Sequence, residues 1–298
     1  MKLGSTKAVL LVVSSVLACA AFAQSDSSKR VIDIAGDFQG DLRAGPYNFT
    51  GSSTTPVKAK VSNLNILSQS VVLSAPNGIL MAEAKGKRSA DFKGAVTVTR
   101  GKVNATGPTL SYSEASGLGT LKGGAKMTYT PDGKDTEPVL VDASQMEFDV
   151  DTETSISKGN VKLVNGRQST VSETLSFNEK SELAVLGGGK VTLIRQPSKA
   201  GENVLTLSGA DAKIQTGKDK KLLLMTGKVT LIDGTITTTG NTLYYDDKKN
   251  LAIVSGNAKS VDSKNKITQN GNTLEHRTDL HRVRSLSSGF TIPLDSFK

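Results

Sequence analysis

A Gly-x-(Val/Ala) unit recurs along this chain, at Gly94-Ala95-Val96, Gly123-Gly124-Ala125, Gly159-Asn160-Val161, Gly189-Lys190-Val191, Gly227-Lys228-Val229 and Gly256-Asn257-Ala258. Successive glycines lie 29, 36, 30, 38 and 29 residues apart, so a larger period of 65 to 68 residues underlies the short one. A fixed period of this size is the mark of stacked supersecondary units, each burying its apolar face against the next. A second ruler precedes each glycine: Met81, Leu110, Met146, Ile214 and Leu243 stand 13 residues upstream, and Leu175 stands 14.

Between the rulers lie small polar or charged clusters such as Glu114-Ala115-Ser116-Gly117, Asp149-Val150-Asp151-Thr152-Glu153, Glu179-Lys180-Ser181-Glu182 and Asp246-Asp247-Lys248-Lys249-Asn250. These read as turns. Arg100-Gly101, Asn165-Gly166 and Asp233-Gly234 close the short halves as turns, the last two as strong hairpin dipeptides because both central residues can take φ > 0. The long halves carry two extra segments, Pro131 to Pro138 and Gln196 to Glu202, which are expected to project on one side.

Between turns the residues alternate with period two, as in Val96-Thr97-Val98 and Val229-Thr230-Leu231. That is the pattern of a strand with one buried face. Helix competes poorly, since no long stretch repeats apolar residues at three and four. Units of 13 to 16 residues over residues 31–298 imply roughly 16–20 antiparallel strands. Constant unit length favours stacked rungs over a Greek-key sandwich, with the glycine as a bend where the ribbon turns a corner. Val31 to Ser74 fits the ruler less well and reads as an atypical first cap.

The first residues have the layout of a secretory signal: Lys2 and Lys7, an apolar run from Ala8 to Phe22, then Ala21-Phe22-Ala23. Cleavage is expected after Ala23. The competing lipoprotein site at Cys19 has an imperfect lipobox, and the run is shorter than the ~20 residues that span a bilayer. Cleavage removes the only cysteine and two of the positive charges behind the net +9. A disulfide-free exported protein must then stand on sheet hydrogen bonds and apolar packing. The expected organisation is signal 1–23, a polar N-terminus 24–30, a β-repeat body 31–284 in one or two lobes, and a C-terminal tail 285–298.

Apolar pairs two residues apart lie on one face of their strands. The candidate lining residues of the interior are Val96, Val98, Leu110, Tyr112, Val161, Leu163, Leu175, Phe177, Val191, Leu193, Val229, Leu231, Leu243 and Tyr245. They form an ordinary packed core or a groove for acyl chains; aliphatic interiors look alike in both cases.

Segments such as Ser157-Lys158-Gly159-Asn160-Val161-Lys162-Leu163, Glu173-Thr174-Leu175-Ser176-Phe177-Asn178 and Thr226-Gly227-Lys228-Val229-Thr230-Leu231, leading to Asn241-Thr242-Leu243-Tyr244-Tyr245-Asp246, resemble the OstA-like family, the β-jellyroll of periplasmic LptA-type bridges in lipopolysaccharide transport. The resemblance covers about residues 75–275. It implies an elongated open β-jellyroll whose apolar interior shields acyl chains and whose terminal strands stack head to tail with copies of itself or with other jellyroll transport components. It implies no catalytic residue and no cofactor, and lipopolysaccharide or another amphiphilic lipid as partner. A cleavable signal and no barrel-length extension favour the soluble periplasmic form, with a possible outer-membrane association. The chain departs from the family pattern in its length, its two Pro-bearing loops and its basic C-terminal tail.

Other chemistry has little material. His276 and His281, with Glu275 and Asp279 nearby, lack a third histidine or a cysteine for a zinc set. Gly187-Gly188-Gly189-Lys190 has Ala184 where a phosphate loop needs its first glycine and Val191 where it needs Ser or Thr, so it reads as a strand corner. No Gly-x-Ser-x-Gly elbow occurs. Aromatic residues make up only 4% with no Trp, against both nucleic-acid stacking and a carbohydrate-active solenoid. The basic residues His276, Arg277, His281, Arg282 and Arg284, with Lys218, Lys220, Lys221, Lys248 and Lys249, read mainly as solvated charges, with anionic lipid as the minority reading. The expected function is therefore a non-enzymatic lipid-shielding transport module. Its rival is a structural envelope protein that tethers layers without binding lipid.

Overall fold

The computed structural model describes residues 27–133, 136–217, 221–287 and 290–298; the expected signal segment and Lys218 and Lys220 lie outside these. Short strands open the chain: β1 (Ile32–Ala35), β2 (Phe38–Gln39), β3 (Tyr47–Thr50), β4 (Val57–Val61), β5 (Leu64–Ser68) and β6 (Ser70–Ser74). Long ones follow: β7 (Ser89–Arg100), β8 (Val103–Ser113), β9 (Leu118–Tyr129), β10 (Val139–Asp149), β11 (Ser155–Asn165) and β12 (Gln168–Asn178). Then come β13 (Leu183–Gly187), β14 (Val191–Arg195), β15 (Leu205–Gly209), β16 (Asp211–Gln215), β17 (Leu222–Asp233), β18 (Ile236–Asp246), β19 (Leu251–Asp262), β20 (Ile267–Arg277) and β21 (Arg282–Ser285). All 21 belong to one antiparallel sheet in which long strands pair with their sequence neighbours. The fold class read from the repeat holds, with slightly more strands because some long ribbons are split at their corners.

Each long strand bends at a corner, which in β7, β9, β11, β17 and β19 falls at the repeat glycine, and so contributes to two leaves. Ser70–Ser74 pair with residues 89–93 of β7, whereas Asn65–Leu67 pair with residues 97–99 of the same strand. The second leaf therefore holds β2, β3, β6, β13, β16, β21 and one half of every long strand. The first holds β1, β4, β5, β14, β15 and the other halves. At the corner two residues oppose one: Gly227 and Lys228 fall between the pairs Thr226↔Thr242 and Val229↔Gly240, and Gly159 and Asn160 between Lys158↔Thr174 and Val161↔Ser172. This is a bulge that bends the ribbon and increases its local twist.

The corner explains why glycine recurs. Gly227 has φ +81, and a Cβ there would stand 2.6 Å from the Ala210 Cβ. The next residue is left-handed too, with φ of 46 to 52° at Ala95, Asn160, Lys228 and Asn257. L-residues enter that region at a cost, least for Asn. At Gly188 and Gly189 the ribbon breaks outright between β13 and β14, so the Gly-rich run is a corner rather than a phosphate cradle.

Alternation then fills the space between the leaves. β4, β5 and β15 show strict or near-strict burial at every second residue, and one apolar cluster runs from Ile32 to Leu274. Burying each such side chain contributes roughly 1.5–3 kcal/mol. Toward the C-terminus the first leaf's inward positions become polar: Thr238 Oγ1 donates to Ser260 Oγ at 3.0 Å and lies 3.3 Å from His276 Nδ1, all three side chains buried. The interior thus ends in a polar plug.

A second, smaller cluster lies on the outside of the second leaf. Leu183, Leu224, Tyr244 and Ile253 are buried there under Phe297, although their neighbours Ala184, Leu223, Tyr245 and Val254 face the interior. The chain after β21 folds back over this patch and ends in a 3-10 turn, Leu294–Phe297. Residues 290–298 of the expected C-terminal tail thus lie as a strap over this patch.

Candidate functional site

The fourteen candidate lining residues all lie in the single interior cluster, none more than 2% exposed. Val96, Val98, Val161, Leu163, Val191, Leu193, Val229 and Leu231 line the first leaf. Leu110, Tyr112, Leu175, Phe177, Leu243 and Tyr245 line the second. In this structure they pack against one another across the leaves, so a guest reaches them only where the leaves part.

Where they part is set by connectivity. One border between the leaves is the row of corners, which every long strand crosses covalently. The opposite border carries the turns that close the long hairpins, and among the described residues the leaves are joined there only by side chains. The inward parity of each strand runs on one step into this border: Val98 is followed by Arg100, Leu163 by Asn165, Leu193 by Arg195 and Leu231 by Asp233 on the first leaf. On the second, Tyr112 is followed by Glu114, Phe177 by Glu179 and Tyr245 by Asp247. All but Glu179 are classed as buried, and the Glu179 side chain is 18% exposed.

These polar residues meet across the border as a seam. Arg100 Nε donates to Glu179 Oε1 at 2.9 Å and Nη1 to the Asp149 carbonyl at 3.2 Å. Arg100 Nη2 stands 2.8 Å from the same Glu179 oxygen but is not aligned to bond it, and has no other partner among the described residues. Burial raises the Glu179 carboxyl above its ordinary pKa despite Arg100. Tyr129 Oη donates to Glu182 Oε1 at 3.1 Å, and Asn165 Nδ2 to the Thr216 carbonyl at 3.3 Å. Arg195 Nε donates to Asp247 Oδ1 at 2.9 Å, an oxygen that also accepts from Tyr245 Oη at 3.0 Å. Asp233 closes the far end, with His276 Nε2 3.0 Å from Oδ2 and His281 Nδ1 3.1 Å from both oxygens. At the N-terminal end Glu114 accepts from the amides of Ile32, Gly86 and Arg88 and from the Arg88 guanidinium.

Two of these contacts share an offset of three ladder steps. Arg195 on β14 meets Asp247 at the end of β18 through the ladder steps β15, β17 and β18. Asp233 on β17 meets His276 on β20 through β18, β19 and β20. Each contact therefore clamps two leaves whose facing strands are not ladder neighbours. A cleft of about 180 Å³ opens on this border beside Arg100, Glu179 and Lys180.

Burial alone would raise the Asp233 pKa, but hydrogen bonds from His276, Asn203 and His281 carry it below its ordinary value. The Asp233 hydrogen bond in turn raises His281. Glu114 is likewise lowered, the Arg88 and amide hydrogen bonds outweighing its burial. Sequence reading treated these residues as turn charges, and His276 as a solvated tail residue. The structure makes His276 a fully buried clamp, because its partner Asp233 lies 43 residues upstream on the other leaf. The available signal was parity: each clamp stands two positions beyond an inward apolar pair.

No group of three or more His, Cys, Asp or Glu suited to a metal ion occurs among the described residues. No helix among them is long and apolar enough to cross a membrane, which leaves strand-built membrane spans untouched.

No curated protein sequence matches the chain. Among solved structures it is similar to LptH, the LptA-homologous periplasmic component of the lipopolysaccharide transport device from Pseudomonas aeruginosa, at 14% identity over 46% of this chain and 83% of that one, with a TM-score of 0.33. The family model that matches, described as the LptA/(LptD N-terminal domain) LPS transport protein, aligns with residues 140–280, from β10 to the turn after β20. Residues 140–280 are thus similar to the LptA/LptD N-terminal domain family.

Proposed function

We propose that this protein is a non-enzymatic periplasmic module that binds lipopolysaccharide or another amphiphile, shields its acyl chains, and bridges them toward the outer membrane. The observation that carries this reading is the one continuous apolar interior between two leaves whose turn-side border is closed by side chains alone. Acyl chains enter when that border opens, replacing leaf-to-leaf contacts with leaf-to-lipid contacts of similar apolarity, at about 0.8 kcal/mol per buried methylene. The seam side chains regain water as they separate, which offsets part of the lost ion pairing. The polar plug at Thr238, Ser260 and His276 sets the C-terminal limit of the groove.

The sheet ends support bridging. Among the described residues, β1 and β2 each pair on one side only, as do β21 and residues 267–271 of β20. Such edges present unpaired backbone groups to another chain. Head-to-tail stacking with a second copy, or with another jellyroll component, would continue both leaves and the groove between them.

The test is native mass spectrometry with lipid extraction on protein purified from an envelope fraction without detergent. Acylated molecules should co-purify and be lost when Leu175 or Val229 is changed to Asp in a still-folded protein. A folded wild type that carries no lipid and takes up none when it is added would overturn the reading and leave the envelope tether in its place.

A further inference from the structure

The outer faces of the two leaves differ in charge. On the first leaf one outward row runs along the ladder from Leu140 on β10 to Thr268 on β20, by way of Ile194 and Ile232, across nine strands without a charged side chain. In the neighbouring row, nearer the corners, Lys162 on β11 and Lys259 on β19 bracket five Val, Thr or Ser residues, among them Val171 and Thr230. Outward positions of the second leaf instead carry Asp91, Lys93, Lys122, Glu147 and Lys158, or lie under the strap. Leu140, Val171, Ile194 and Ile232 are 39–48% exposed. A contiguous exposed face of this kind marks an interaction surface.

Its corner side is rimmed with positive charge. Lys162, Lys190, Lys228 and Lys259 are exposed, and none of their ammonium groups has an ion pair or hydrogen bond among the described residues. Lys228 keeps its place at a cost: its φ of 51° is left-handed, whereas equivalent corners use Asn160 and Asn257, which tolerate that region better. Between Lys190 and Lys228 an open cleft of about 550 Å³ runs over Gly189, Gly209 and Gly227, with Ser208 on its wall. Asp211 also lines the cleft, and Glu173 lies beside Gly189, so the rim keeps an excess of positive charge.

We propose that the outer face of the first leaf docks on an anionic bilayer surface, its aliphatic and hydroxyl side chains meeting the headgroup layer and its four rim lysines meeting lipid phosphates. Lysines within a Debye length of such a surface are drawn to its negative potential. Charge decides against a second copy as occupant, because two such faces paired about a central two-fold axis would set Lys162 against Lys259. A soluble polyanion would satisfy the lysines but leave Ile194 and Ile232 uncovered. The surface lies outside the leaf, so the inference does not rest on lipid in the interior.

The test is co-sedimentation of the protein, purified from an envelope fraction without detergent, with vesicles of equal parts phosphatidylglycerol and phosphatidylcholine or of phosphatidylcholine alone. Binding to the anionic vesicles should be stronger by about tenfold or more, and should fall by as much when Lys162→Gln, Lys190→Gln, Lys228→Asn and Lys259→Gln are combined. Val171→Ser with Ile194→Ser and Ile232→Ser should weaken it by about threefold or more. A charge-matched control, Lys85→Gln, Lys87→Gln, Lys93→Gln and Lys122→Gln, on the second leaf and the turn before it, should stay within about twofold of the wild type. Circular dichroism and urea denaturation first establish that each variant is folded. Equal binding to both vesicles, a four-lysine variant that binds like the wild type, or an equal loss in the control overturns the proposal. Loss with the lysines but not with the three serine changes overturns the bilayer as occupant in favour of a soluble polyanion. Uptake of an acylated lipid into the interior should be unchanged by the four rim substitutions, which separates failure here from failure of the carrier reading.

Discussion

Arg195 and Asp247, 52 residues apart in sequence, bond at 2.9 Å with side chains only 2% and 4% exposed, and thereby tie the first leaf to the second at the middle of the seam. Arg195 also donates to Asn250 Oδ1 at 3.0 Å and Glu202 Oε2 at 3.2 Å, so the guanidinium is held by three partners. A buried ion pair adds little net stability over apolar packing, but stripping one partner strands a charge.

Asp247→Ala should therefore lower the unfolding free energy by about 3–5 kcal/mol. The double change Arg195→Met with Asp247→Leu should recover part of that loss, since it leaves Glu202 without its guanidinium partner. Urea denaturation of the three proteins checks both statements, and a double variant as unstable as the single one would contradict them.

The Asp233 cluster makes stability depend on pH with a definite sign. Asp233 is lowered, so its contribution is present above the unfolded carboxylate value of about 3.9 and lost as pH falls through the folded value. His281 is raised, so its contribution is complete below about 6.5 and lost as pH rises through its higher folded value. The groups facing Asp233 are His276, His281 and Asn203, with Asp279 adding to the field on His281. The urea midpoint of the wild type should fall as pH rises above about 6.5 by more than that of His281→Asn. Parallel curves for the two would refute the clamp.

Corner geometry predicts opposite signs at two positions of the same motif. Gly227→Ala places a Cβ 2.6 Å from Ala210 Cβ at φ +81 and should destabilise by about 2 kcal/mol or more. Ala95→Asn, exposed at φ 46°, should stabilise by roughly 0.5–1 kcal/mol, since Asn tolerates the left-handed region. Thermal melts of the two variants read the difference.

Thr170 is fully buried on β12, and its hydroxyl has no hydrogen-bond partner among the described residues. Thr170→Val keeps the shape and removes the orphan oxygen, so stability should rise by about 1 kcal/mol. A loss on calorimetry would mean that the hydroxyl has a partner in solution.

The sheet was legible in the sequence because its constraints are local. Two successive left-handed residues, as at Gly159 and Asn160, can hardly be built without glycine, and Leu175 and Phe177 announce their common face by spacing alone. The seam was hidden because Arg100, Arg195 and Asp233 acquire meaning only from partners on the other leaf, whose offset depends on sheet twist and not on any local pattern. The strap was hidden for a related reason: Leu224, Tyr244 and Ile253 read as noise in an alternating strand until Phe297 is placed over them. The fourteen interior residues were found as a set, but parity says where a side chain points and not whether lipid or protein fills the space before it.

The account turns on acyl chains entering where the leaves are joined by side chains alone. Asn165 and Thr216 meet across that border at mid-seam, so Asn165→Cys with Thr216→Cys, bridged by a short thiol cross-linker, fastens the leaves without touching the interior. Uptake of an acylated fluorescent lipid by this protein should be normal before bridging and reduced at least tenfold after it. Equal uptake in the bridged and unbridged forms would contradict entry through the seam.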